Sequence, residues 1–128
     1  MTSTGADSRY LHCLADWLLQ IASRPGMYFA DLRELETLLL GHEHAFHQLG
    51  MVDGGFHRRF CSWLREEQGV RSTSAGWAVA LLAAEDNDQK AATRLFFDRA
   101  ARFLTATCGL HDPRLAQLSV ADGGGPTR

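Results

Sequence analysis

Lysine is almost missing from this chain: Lys90 is the only one, and every other basic residue is arginine. The arginines share no common spacing, and Arg58-Arg59 is the only adjacent basic pair. With a formal net charge of -2, there is no basic face to displace the counterions of a phosphate backbone, so no nucleic-acid partner is expected. Cysteine is scarce as well. Cys13, Cys61 and Cys108 lie far apart and are odd in number, which argues against a disulfide framework or a Cys-x-x-Cys zinc site and favours reduced thiols. No apolar run approaches the roughly 20 residues that a bilayer crossing requires, and no membrane association is expected. Met1 to Ser8 has no positive region followed by an apolar stretch, so no secretory signal is read there and the expected location is the cytoplasm. No segment alternates apolar and polar residues for long, so a short strand has room only at 27–30 or 69–72. A phosphate-cradling glycine loop is also lacking: Gly54-Gly55 reads as a turn and Gly123 to Gly125 as tail.

What is present is helical periodicity. The chain has 128 residues, of which 45% are hydrophobic and 22% charged, the balance of one globular domain. Tyr10, Cys13, Leu14, Trp17, Leu18 and Ile21 recur at helical spacing over about 9–22, and Pro25 ends that run. Asp31 followed by Glu34 forms an Asp variant of the capping box and opens a second helix, which Gly50 stops. Its stripe is Leu35, Leu38, Leu39, His42, Phe46 and Leu49. A third helix spans about 56–68, with Phe56, Phe60, Trp63 and Leu64 on its apolar face and Gly69 as its C′ residue. Ser72, Thr73 and Ser74 are candidate caps for a short and almost wholly apolar fourth helix over 76–84. The acidic turn Glu85 to Asp88 caps a fifth, which reaches about Thr107 and is ended by Gly109. The expectation is an all-α protein: a compact bundle-like or orthogonal packing of about five helices over residues 1–110. Residues 111–128 should form a flexible tail, with at most a weak helical turn at 115–118.

Chemistry-bearing residues occur without a chemical pattern. Gly41-His42-Glu43-His44-Ala45-Phe46-His47 suggests a metal site, yet a zincin needs histidines four apart on one helical face. Here Phe46 holds that place. His44 and His47 would need a distant third ligand such as His12, His57 or His111, so no cofactor or metal is expected. His57 and Cys61, four apart, fit ordinary packing better than a catalytic dyad, because no orienting group or oxyanion hole accompanies them. The run Glu85 to Asp88 fails the calcium-loop pattern. Trp17, Trp63 and Trp77 fall on apolar stripes and read as core; Tyr28 and Phe29 should fold back onto it.

Arg24-Pro25-Gly26-Met27-Tyr28, Leu32-x-x-Leu35, Gly41-x-x-x-Ala45, Phe56-x-x-x-Phe60-x-x-Trp63-Leu64, Ser74-x-Gly76-Trp77 and Phe96-Phe97 form a series over about 20–104. The series resembles small bacterial cytosolic helical proteins with an Arg-Pro-x-Met-Tyr turn after one helix. Many of these are uncharacterised, and the group includes immunity proteins of contact-dependent or polymorphic toxin systems. The resemblance implies a non-enzymatic, monomeric or homodimeric protein that binds and blocks a cognate toxin domain. It carries no shared recognition residues. From charge alone, the expected partner-binding residues are Asp31, Glu34, Glu36 and Glu43 on the exposed side of the second helix, with Asp53, Glu85, Asp86 and Asp88. Two other classes stay open: a metal-binding protein or enzyme using the helix-two histidines, and a helical adaptor or ligand-binding protein.

Overall fold

The computed structural model describes residues 5–50, 55–71 and 73–120. Six helices appear in chain order: α1 (Gly5–Ser23), α2 (Leu32–Gln48), α3 (Phe56–Glu67), α4 (Trp77–Ala84), α5 (Gln89–Ala106) and α6 (Ala116–Val120). Single 3-10 turns occupy Pro25–Met27, Thr73–Ala75 and Pro113–Leu115. No strand occurs among the described residues. The all-α expectation holds, and no described helix is long and apolar enough to cross a membrane. None of the three cysteines is disulfide-bonded.

Local sequence explains most helix ends. Asp31 Oδ1 accepts from the Glu34 N–H at 2.9 Å, and Glu34 Oε1 accepts from the Ala30 N–H at 2.7 Å. The reciprocal bond lands one residue before the cap, a shifted form of the expected box. Asp88 Oδ1 caps α5 through the Ala91 N–H at 3.1 Å. Both α3 and α5 end as expected at Gly69 and Gly109, where the Val70 and Leu110 amides bond back to the Leu64 and Leu104 carbonyls at 2.9 Å.

Helix α5 is the centre of the molecule: α1, α2, α3, α4 and α6 all pack against it. Its buried Ala92, Phe96, Ala100, Phe103 and Leu104 explain this, since small and aromatic residues alternate along one face. The Trp77 indole stacks on Phe96 with ring centres 4.2 Å apart, and Phe60 meets Phe96 and Phe103 edge-on at 5.8 and 5.5 Å. All of α4 except one side serves this core: Trp77, Ala78, Ala80, Leu81 and Leu82 are buried. Of the three tryptophans, only Trp77 is fully enclosed; Trp17 and Trp63 border the core. Tyr28 does fold back, meeting Trp17 edge-on at 5.2 Å, and Phe29 packs beside it.

The expected boundary at residue 110 is corrected. Leu110, Leu115 and Leu118 are buried in the main core, and α6 packs on α5 and α1. Arg114 adds an ion pair from this segment to Asp16 of α1 at 2.6 Å. The apolar residues at 110, 115 and 118 are too few to show a helical period, yet each has a hydrophobic place to go. Residues 121–128, the rest of the expected tail, lie outside the described residues.

Packing of this kind predicts that Leu118→Ala lowers the unfolding free energy by about 2–5 kcal/mol, as for other buried leucines. A chain ending at residue 110 should lose more in urea denaturation than one ending at 120.

Candidate functional site

Helices α3 and α4 begin alike, and neither supplies its own cap. The residue before each is a glycine with positive φ: Gly55 at 73° and Gly76 at 104°. Neither has a side chain to accept from the first-turn amides. Thr73 and Ser74 do not cap α4 as expected; Thr73 is buried and its hydroxyl accepts from Arg65 at 3.2 Å. The acceptors come from α2. Glu36 Oε2 accepts from the Trp77 N–H at 2.9 Å, 41 residues away in sequence. Glu43 Oε1 accepts from the Phe56 and His57 N–H groups at 2.7 and 3.2 Å. The two glutamates stand two helical turns apart on α2, on one side of it. A Cβ at Gly55 would lie 2.2 Å from the Glu43 carboxylate, and one at Gly76 would lie 2.5 Å from that of Glu36. Only glycine leaves room for these carboxylates while adopting the required backbone.

Both caps join a buried polar network. The Tyr10 hydroxyl donates to Glu43 Oε1 at 3.0 Å. Burial, reinforced by the Glu43 charge and hydrogen bond, pushes the Tyr10 phenol far upward, so it stays a donor. The Trp77 indole N–H donates to His57 Nδ1 at 2.8 Å, and the two rings stack. That bond leaves the His57 proton on Nε2, which faces the Leu39 carbonyl side without a hydrogen bond of good geometry. Burial pushes the His57 imidazolium to lower pH, with partial opposition from Glu43. His42 is depressed for the same reason; its ring lies among Tyr10, Phe46 and Trp17, with Nδ1 buried and unbonded. Burial also raises the Glu36 carboxyl against the bonds that Trp77 and Ala78 donate to it.

This network accounts for several sequence signals. His57 is engaged with Trp77 rather than activating Cys61, whose thiol is raised by burial and by the Glu36 charge. The helix-two histidines diverge: His42 turns inward, while His44 and His47 are exposed. Among the described residues no group of three histidine, cysteine or acidic side chains has the geometry to hold a metal ion. Glu36 and Glu43 therefore leave the set of exposed partner-binding candidates, because each is half-buried and bonded within the chain. The sequence carried one hint of this. Gly55-Phe56 opens a helix with no local cap, which requires an acceptor from elsewhere; before Gly76-Trp77 the nearby hydroxyls concealed the same need.

Comparison with known families, curated proteins and solved structures returned no significant match. The candidate surface is therefore defined by this chain's own geometry. The Leu32 N–H donates to Gln89 Oε1 at 3.0 Å, which ties the start of α2 to the start of α5. Asp31 and Glu34 are thereby brought to the same end of the molecule as Asp86 and Asp88. The turn of residues 24–30 closes this end, with Pro25, Gly26, Phe29 and Ala30 forming a cleft of about 200 Å³ with Gln89, Lys90 and Thr93. Met27 projects from the turn with 68% of its surface exposed. Arg24, Arg33 and Lys90 interleave with the acids, so the excess of negative charge is slight. Glu85 faces a different cleft, beside Gln68, Arg71, Leu95 and Arg99. Asp53 lies outside the described residues.

Two outcomes follow from the network. Glu43→Ala strands one hydroxyl and two amides, and should cost about 3 kcal/mol in urea unfolding, against about 1 kcal/mol for the exposed cap partner Glu34→Ala. The depressed His57 and His42 bind protons less readily folded than unfolded. Their stabilising contribution is thus complete above the ordinary value of 6.5 and is lost as pH falls below it. Glu36, being raised, acts with the opposite sign at lower pH, near and above 4.5. The urea midpoint should drop between pH 7 and 5.5, and His57→Gln, which keeps an acceptor for Trp77, should flatten that slope.

Proposed function

We propose that this chain is a non-enzymatic protein-binding module, and specifically an immunity protein that occupies and neutralises a cognate bacterial toxin domain. The observation that carries the reading is the composite end built by the 24–30 turn, the start of α2 and the start of α5. The turn presents an exposed methionine, Met27, at the end of the molecule where the start of α2, with Asp31 and Glu34, is tied to the start of α5, beside Asp86 and Asp88. A flexible apolar anchor with a charged rim is the anatomy of a protein interface. The same turn carries the Arg-Pro-x-Met-Tyr resemblance on which the toxin assignment rests. Its inner residues, Tyr28 and Phe29, hold the turn to the core, which leaves Met27 presented on a rigid support. The mixed charges of the rim fix the orientation of a partner surface of complementary pattern, and the anchor supplies the desolvated contact.

The test is titration of the purified chain against a toxin domain encoded by the adjacent gene. A stoichiometric complex is expected, together with loss of the toxin's activity. Met27→Asp combined with Asp86→Lys should weaken that complex by about a hundredfold, given the usual weight of a central anchor, with the circular-dichroism spectrum unchanged. Absence of a complex at micromolar concentration, or a complex indifferent to both changes, overturns the reading.

A further inference from the structure

Helix α3 shows solvent a charge pattern that is its own complement. Phe56, His57, Phe60 and Leu64 face the core. The opposite stripe runs Arg58, Ser62, Glu66 at successive turns, with Arg58 and Glu66 exposed and Ser62 half-buried. Arg58 and Glu66 are equally far from Ser62, about 6 Å along the axis in each direction. We propose that α3 is a homodimer interface, in which α3 of a second copy packs antiparallel about a two-fold axis at Ser62. Such an axis lays Arg58 over Glu66 of the second copy and Glu66 over its Arg58, since a two-fold interface must be self-complementary.

Two features beside the stripe fit the same occupant. Trp63, one residue from the axis, is half-buried; its inner face rests on Phe60 and Phe103 with ring centres 6.0 and 5.5 Å away. It forms the wall between two open clefts of about 700 and 680 Å³. The first cleft includes Arg58, Ser62, Glu66 and Glu67, the stripe itself and its flank. The second is lined partly by Ala101, Ala106, Leu115 and Ala116, whose small or apolar side chains admit a close neighbour. An aromatic anchor at the centre of a patch, with charges at its ends, gives affinity from the middle and orientation from the rim. Arg65 would oppose Arg59 of the second copy, but it is turned toward the 73–75 turn, bonded to Thr73 at 3.2 Å and paired with Glu66 at 3.6 Å. Arg59, which lines the same cleft, is likewise held within its own chain, its Nε–H donating to the Gly55 carbonyl at 3.0 Å. The face is separate from the Met27 end, so a dimer leaves that end open.

Sedimentation velocity of the full chain, from low to high micromolar concentration, tests the proposal. A monomer–dimer equilibrium is expected. Arg58→Glu should raise its dissociation constant about tenfold or more, and the exchange Arg58→Glu with Glu66→Arg should restore it. Ser62→Cys, oxidised, should yield a disulfide mapped by mass spectrometry to position 62 of both copies. Arg58 and Ser62 make no contact that the fold needs, and circular dichroism verifies that each variant is folded. A monomer at every concentration overturns the proposal. So does a dimer that tolerates Arg58→Glu, or a double variant that stays monomeric.

Discussion

Two carboxylates on one side of α2 hold the fold together. A helix start leaves amides without partners, and α3 and α4 both begin at glycines that offer no acceptor. Glu43 and Glu36 supply those acceptors across the tertiary structure. Each bond is charge-assisted and also favoured by the positive end of the helix it meets. Because both carboxylates belong to one rigid helix, α3 and α4 are held in register with each other as well as with α2. The Trp77–His57 bond then closes the loop between the two capped starts.

Holding charged groups at these depths carries a cost, visible in the raised Glu36 carboxyl and the depressed imidazoles of His42 and His57. The cost is offset because the acceptors are used fully: one oxygen of Glu43 serves two amides and a phenol. A perturbed titration is often a sign of catalysis. Here Glu36 is bonded to backbone, Tyr10 to Glu43 and His57 to Trp77, while His42 packs among aromatic rings, and these groups explain stability before they explain chemistry. The surface with an open role is elsewhere, at the Met27 end and along α3.

Much of the local structure was legible in the sequence. Helical periodicity, the Asp31 and Asp88 caps, and the stops at Gly69 and Gly109 all depend on neighbours within four to six residues, and all appear where expected. The sixth helix was not legible as part of the domain. Leu115 and Leu118 have no periodic partners of their own, and their burial depends on a cleft formed by α1 and α5. The acidic residues of α2 show the same divide. Glu34 is committed by Asp31 next to it, whereas Glu36 and Glu43 have the same side chain and similar local surroundings but turn inward.

Sequence by itself therefore determined the helical class, the apolar, buried character of the fourth helix and the ends that cap themselves, because each is set by short-range hydrogen bonding and side-chain pattern. It also carried the gap at α3, since Gly55 opens that helix without an acceptor, whereas before Gly76 the hydroxyls of residues 72–74 read as caps. Which acids fill that gap was decided only by the tertiary structure. A carboxylate's role depends on which amide lies within 3 Å of it, and for Glu36 that amide is 41 residues away. The same holds for the surface. Asp31 and Asp88 become neighbours only through the Leu32–Gln89 bond, because packing brings together two helix starts that the chain keeps 57 residues apart.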